Sequence, residues 1–215
     1  MTDSVLFINA LRSSLEANAD QDSALCLFIE ALQDVPPVST GCVMDDLKHP
    51  LLSQLDDALN AARGPPELVD SVAALSSAGG WYQVYTGAGI NAAMADFLLA
   101  KQIVGPKGLF ASDCMRAGIF LLAPHFEYPM HGHAALEVYY VHSGTIDIQN
   151  GTESVQRRLG PGQYSITPSE VPHALHTGDV PVLLLFVWTG NVTAPIWWWV
   201  KGEGGIWTKT LAKKP

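Results

Sequence analysis

Two hydrophobic rhythms divide the chain. Over the first hundred residues the apolar positions recur with a helical period. Leu25, Phe28, Ile29 and Leu32 fall at i, i+3, i+4 and i+7, and Leu51, Leu52, Leu55 and Leu59 form a second stripe. Pro36-Pro37 and Gly64-Pro65-Pro66 punctuate these stretches, and the second pair of prolines suits the first turn of a helix over 67–76. Gly79-Gly80 ends that helix; Met94, Phe97 and Leu98 share a face of another over 91–101. From about residue 107 the period changes. Short β-rich runs at 118–122, 136–142, 145–149, 164–167, 182–188 and 196–200 alternate with turn residues, among them Asn150-Gly151 and Gly160-Pro161-Gly162. Such strands, with a turn about every ten residues, predict a β-sandwich or barrel. The expected fold is therefore mainly β with an α-helical N-terminal extension. Residues 1–104 form the helical region packed on the barrel, and 105–215 form the barrel.

Composition narrows the class. At 215 residues, 48% hydrophobic and 15% charged, the chain can build a core as one large domain or one domain with an appendage. Its net charge of −9 argues against a nucleic-acid partner, which needs a basic face. The charge is uneven. Residues 1–100 hold 3 Lys+Arg and 13 Asp+Glu, a net of −10; the remainder hold 9 and 8, a net of +1. A solvated helical surface accounts for the acidic half. Cys26, Cys42 and Cys114 are odd in number and lack CxxC spacing, so neither a disulfide framework nor a cysteine zinc site is expected. The N-terminal stretch has no basic segment before its apolar part, and no uncharged apolar run approaches the ~18 residues of a membrane span. A cytoplasmic protein, monomeric or homodimeric and without a membrane partner, is the expectation.

Histidine placement points to chemistry. Six of the seven lie between His125 and His176. If 131–139 is one strand, His131, His133, Glu137 and Tyr139 share a face. Burying two imidazoles, a carboxylate and a phenol together is costly unless something satisfies them. A divalent metal (Zn, Fe, Mn or Ni) does so, with His173, after the 168–172 turn, as a ligand from a distant strand. His142 and His176 fall off this pattern and read as surface residues or residues behind the ligands; His49 reads as a solvated helix residue.

The spacing His131-x-His133-x3-Glu137-x6-Gly144 resembles the first cupin motif, and Gly162-x5-Pro168-x4-His173 the second. The resemblance implies a double-stranded β-helix barrel whose metal is held by His131, His133, Glu137 and His173. Three positions depart from the motifs: His125 replaces a leading Gly, Glu170 a Gly and Thr177 an Asn. More narrowly, Tyr128-Pro129-x-His131-x-His133-x-Ala135-x-Glu137-x-Tyr139 is similar to the cupin-type dimethylsulfoniopropionate (DMSP) lyases over roughly 105–200. That resemblance implies metal-dependent β-elimination of a small zwitterion to dimethyl sulfide and acrylate. Tyr139 and Tyr128 would be the catalytic residues, Tyr139 as the general base, and the metal would bind the substrate carboxylate. Tyr128, Trp188 and His125 are the candidate substrate-binding residues, Trp188 as an aromatic wall for the sulfonium. A cupin non-haem iron dioxygenase acting on a small acid and a non-catalytic ligand-binding cupin are the alternatives.

Overall fold

The computed structural model describes residues 2–35, 47–86 and 92–211; Pro36-Pro37, Cys42 and Asn91 lie outside them. The helical half contains α1 (Asp3–Glu16), α2 (Leu25–Gln33), α3 (Leu55–Asn60), α4 (Pro66–Ser77) and α5 (Ala92–Asp96). Helix α1 buries Phe7, Ile8, Leu11 and Leu15 along one stripe, and α4 meets it with Leu68, Val72 and Leu75. Pro66 opens α4, where its missing N–H costs nothing. His49 is a cap rather than a helix residue: its Nδ1 accepts from Leu51 N at 3.2 Å, ahead of a 3₁₀ turn over 50–54.

The described residues form twelve strands, the first ahead of α5: β1 (Tyr82–Gln83), β2 (Leu98–Val104), β3 (Met115–Leu122), β4 (Glu127–Gly132), β5 (Ala135–Ser143), β6 (Ile146–Asn150), β7 (Arg157–Leu159), β8 (Tyr164–Thr167), β9 (His173–Thr177), β10 (Val182–Gly190), β11 (Trp197–Lys201) and β12 (Trp207–Leu211). They form two six-stranded antiparallel sheets. The first runs β1-β2-β3-β10-β5-β8 and the second β12-β11-β4-β9-β6-β7. Helices α2 and α3 pack on the first sheet at β10, and Arg63 N donates to His142 O. One face of the first sheet therefore lines the barrel and the other meets helices.

All six β-rich runs are strands, with ends displaced by a few residues. The expected helix over 91–101 is corrected. Only 92–96 is helical, and β2 takes 98–104 with every residue buried. A strand covered on both faces reads as a continuous apolar run, which periodicity alone does not separate from a helix. Strands of the barrel thus begin before residue 105.

The three motif departures have local explanations. His125 and Glu170, the two that replace glycine, are the only described non-glycine residues with positive φ, at 54° and 64°. The motif positions demand left-handed backbone, which glycine adopts freely. Thr177 fills the Asn position: its Oγ1 accepts from Phe126 N at 2.8 Å and donates to Ala123 O at 2.7 Å. Gly144 keeps the motif residue for cause. Its φ is 72°, and a Cβ there would lie 2.8 Å from Pro181 O.

Candidate metal centre and active site

The ligand segment is not one strand. Strand β4 ends at Gly132 in the second sheet and β5 starts at Ala135 in the first, so His133 lies in the turn between facing sheets. The single-face argument is corrected accordingly: the groups converge across the barrel instead of along one strand. Register shows how. In the second sheet Asn150, His173, His131 and Trp198 stand opposite one another across β6, β9, β4 and β11. In the first sheet Arg116, Trp188, Glu137 and Thr167 do the same across β3, β10, β5 and β8. Opposed residues share a face, so two rows meet inside the barrel with His133 at their junction.

His131, His133 and His173 are buried, and one ligand atom from each falls within 4.8 Å of the others. Their Nδ1 atoms lie 2.8 Å from Pro129 O, 3.1 Å from Ala135 O and 3.3 Å from Val171 O. A carbonyl only accepts, so each Nδ1 carries the hydrogen and each neutral ring offers its Nε2 lone pair. Yet Glu137 Oε2 sits 3.3 Å from His133 Nε2 and 2.9 Å from His173 Nε2, while His131 Nε2 is buried without a hydrogen-bond partner among the described residues. Lone pairs facing a carboxylate at these distances are matched by a positive charge placed between them. A divalent cation held by the three imidazoles and Glu137 meets that need with ligands of ordinary zinc and iron type.

Electrostatics agree with this donor set. Burial, then His173 and His133, hold the His131 pKa well below its ordinary value, keeping the ring neutral. For Glu137, burial pushes the pKa upward; positive charge at the His133 and His173 positions prevails and keeps the carboxyl ionised, and with neutral rings a bound cation would have to supply that charge. Tyr139 is buried with its hydroxyl in reach of Glu137 and its ring centroid 6.0 Å from that of His173. Burial, then the Glu137 carboxylate, push its phenol well above the usual range.

Aromatic rings enclose the centre. Tyr128 stacks on His131 at 4.1 Å between centroids, and its hydroxyl shares a 2.6 Å hydrogen bond with that of Tyr85. Trp198 lies 5.4 Å from Tyr85 and 6.0 Å from His131. Trp188 stacks on His133 at 3.9 Å and donates its indole N–H to Glu137 Oε1.

A family profile for DMSP lyase matches residues 27–184. The chain belongs to the DMSP lyase family. It is 33% identical over 136 residues to dimethylsulfoniopropionate lyase DddQ of Ruegeria pomeroyi, covering 62% of this chain and 67% of that one. The crystal structure of DMSP lyase DddQ from Ruegeria pomeroyi superposes with a TM-score of 0.68 at 26% identity, covering 89% of this chain and 94% of the other. A structure from work on the DMSP lyases RdDddP and RnDddQII shares the fold, with a TM-score of 0.66 at 22% identity over 90% and 96% of the two chains.

For this DMSP lyase family member, the structure brings together His131, His133, His173, Glu137, Tyr139, Tyr128 and Trp188. It does not bring in His125. That side chain is 66% exposed, sits 3.7 Å from Asp179, and precedes β4 at the end away from His131. At a rise of about 3.3 Å per residue, the six steps from His125 to His131 span up to roughly 20 Å. Trp188 also differs from expectation. Its ring already carries the Arg116 guanidinium at 5.5 Å, a poor seat for a second cation. His142 is buried against the helical side, not at the surface. Tyr85 and Trp198 complete the aromatic wall. Tyr85 lies outside the motif, and sequence reading had no signal for it. Trp198 stood within the Trp197-Trp198-Trp199 run, and strand alternation was the clue that its neighbours face away. Cys26 and Cys114 are free and exposed, and among the described residues no helix is long and apolar enough to cross a membrane.

Proposed function

We propose that the chain cleaves DMSP to dimethyl sulfide and acrylate in a metal-dependent β-elimination. The observation that carries the metal is the set of three Nδ1–H groups tied to main-chain carbonyls, which leaves three Nε2 lone pairs aimed at one space beside Glu137. When bound, the cation would supply a Lewis-acid contact for the substrate carboxylate and positive charge that favours the Tyr139 phenolate. Tyr139 then takes the proton from the carbon beside the carboxylate. The C–H electron pair becomes the new C=C bond, and the C–S pair leaves with sulfur, converting the sulfonium to neutral dimethyl sulfide. Such a leaving group needs no acid, and no second proton donor is invoked.

The remaining residues position and enclose. Trp188 fixes Glu137 through its indole N–H. Tyr85 and Trp198 offer ring faces to the sulfonium, each worth about 0.5–2 kcal/mol, while Tyr128, stacked on His131, holds Tyr85 through their shared hydroxyl hydrogen bond. Burial of the triad and of Tyr139 excludes water from the forming carbanion character.

Headspace detection of dimethyl sulfide from DMSP, under anaerobic conditions, tests the reading. Metal-loaded wild type should release sulfide without oxygen. His133→Ala should lose both bound metal and activity. No sulfide from metal-loaded wild type would refute the assignment; a strict need for oxygen would favour the dioxygenase instead.

A further inference from the structure

The four candidate ligands are not tied together by the same kind of link. His131 and His173 stand opposite each other on β4 and β9, so strand pairing fixes their spacing. His133 sits in the turn that joins β4 to β5 covalently. Glu137 differs. It lies on β5 in the facing sheet, yet its Oε2 is 2.9 Å from His173 Nε2. Among the described residues β8 ends the first sheet and β7 the second, and no main-chain ladder joins the two on that side. The separation of Glu137 from His173 must be set by side chains.

Asn150 crosses this gap. It is opposite His173 in the second sheet, and Thr167 is opposite Glu137 in the first, so both flank ligands on the faces that line the barrel. The Asn150 Nδ2 donates to Ile166 O at 2.8 Å, to Ser165 Oγ at 3.2 Å and to Thr167 Oγ1 at 3.3 Å, all on β8. The Ile166 carbonyl only accepts, which fixes the end of the amide that faces β8. Oδ1 is then buried without a hydrogen-bond partner among the described residues, so the amide is engaged by its donor end alone. Ser165 and Thr167 are buried, and water does not compete for these bonds. Arg157 adds a tie from β7, Nη2 to Ser165 Oγ at 3.1 Å, but from an exposed position. A closed loop results: pairing joins His173 to Asn150, the amide joins Asn150 to Thr167, pairing joins Thr167 to Glu137, and Glu137 returns to His173. Trp188 orients the carboxylate from within its own sheet, whereas Asn150 spans the two.

We propose that Asn150 is a positioning residue for the metal centre: its amide ties the sheets at the level of the ligands and so sets the separation of Glu137 from His173. It acts through Glu137 and not on the substrate. The inference rests on the reading above, in which a divalent cation joins these ligands in a DMSP-cleaving site, but its test needs no turnover.

Cobalt(II) is the probe, because its visible absorption reports the ligand set. Asn150→Leu keeps a branched side chain and removes the donors. It should bind Co²⁺ about tenfold more weakly in chelator competition, with an absorption that approaches that of Glu137→Gln. In the Glu137→Gln background the same substitution should add little, because its effect passes through that carboxylate. The rise in Tm on adding Co²⁺ should shrink as well. A residue that merely holds the barrel together would lower Tm equally with and without Co²⁺ and leave affinity and absorption unchanged. That result overturns the inference, as does an undiminished tenfold loss in the Glu137→Gln background. Should Asn150→Leu fail to fold, Thr167→Val, which removes one of the three acceptors, decides by the same readings with a loss of about threefold. If Co²⁺ affinity depends on Asn150 but metal-loaded wild type releases no dimethyl sulfide, the reaction assignment fails and the positioning role stands. Wild type that binds no Co²⁺ overturns the metal reading and this inference together.

Discussion

Strand β5 buries ionisable groups on both of its faces, and the two faces treat them differently. Glu137 and Tyr139 point into the barrel, where His133, His173 and Trp188 surround the carboxylate and the carboxylate faces the phenol. Tyr140 and His142 alternate with them and point to the helical layer. There the Tyr140 hydroxyl finds Ser14 of α1, while both ring nitrogens of His142 are buried without a partner among the described residues. Burial alone does not mark a catalytic group. What separates the faces is whether the neighbours change the group's charge for a purpose or merely tolerate it. Substitutions on the inner face should therefore act on activity, and those on the outer face on stability.

The largest expected effect is on the inner face. Tyr139→Phe should lower the rate of dimethyl sulfide release by about 10²–10⁴, the usual worth of a general base, with metal content by elemental analysis unchanged. Near-wild-type release would remove Tyr139 from the mechanism and reduce the contrast between the faces to one of packing.

Next comes the outer face. Burial brings the His142 pKa down to about 4, against an ordinary value near 6.5. Between those values the unfolded chain takes up a proton that the native state refuses. Stability is therefore lost as pH falls from about 6.5 towards 4, by up to ~3 kcal/mol. His142→Phe should flatten that part of the pH–stability curve, read by chemical denaturation, and leave activity at neutral pH unchanged. Identical acid slopes in variant and wild type would show that the helical layer opens enough to hydrate the ring.

How much of this contrast sequence reading could reach depends on the residue. The histidine, glutamate and tyrosine spacing was legible because metal ligands must be particular residue types at particular intervals. Its geometry was not: the ligands face one another across two sheets because the chain turns at His133, and period-2 reasoning cannot see a turn inside an apparent strand. The left-handed positions of His125 and Glu170 were visible only as departures from glycine, with no local pattern to reveal φ. His125 matches the site by residue type alone, but it precedes β4 at the end away from His131. Strand β2 is not separable from a helix by its pattern, because a helix and a doubly buried strand both look apolar.

A smaller effect tests whether the inner face is held from behind. Trp188→Phe keeps the ring against His133 but removes the N–H that donates to Glu137. Groups that orient a metal ligand typically contribute 10–100-fold to metal affinity, so chelator competition should show a loss of about that size. Unchanged affinity would mean that His133 and His173 alone fix the carboxylate.

The smallest expected effect is a gain. Glu170 occupies left-handed backbone, which costs a non-glycine residue about 1–2 kcal/mol. Glycine would relieve that, offset by about 0.5–1 kcal/mol of extra freedom in the unfolded chain. The exposed pair with Lys209, at 2.9 Å, contributes little. Glu170→Gly should therefore raise Tm by about 1–2 °C. Activity should not change, because what Glu170 gives the site is its main-chain N–H, donated to His133 O at 2.8 Å, and glycine keeps it. A fall in both Tm and activity would instead locate support for the His133 turn in the side-chain link from Glu170 to β12, extending the inner face's dependence on partners out to the barrel surface.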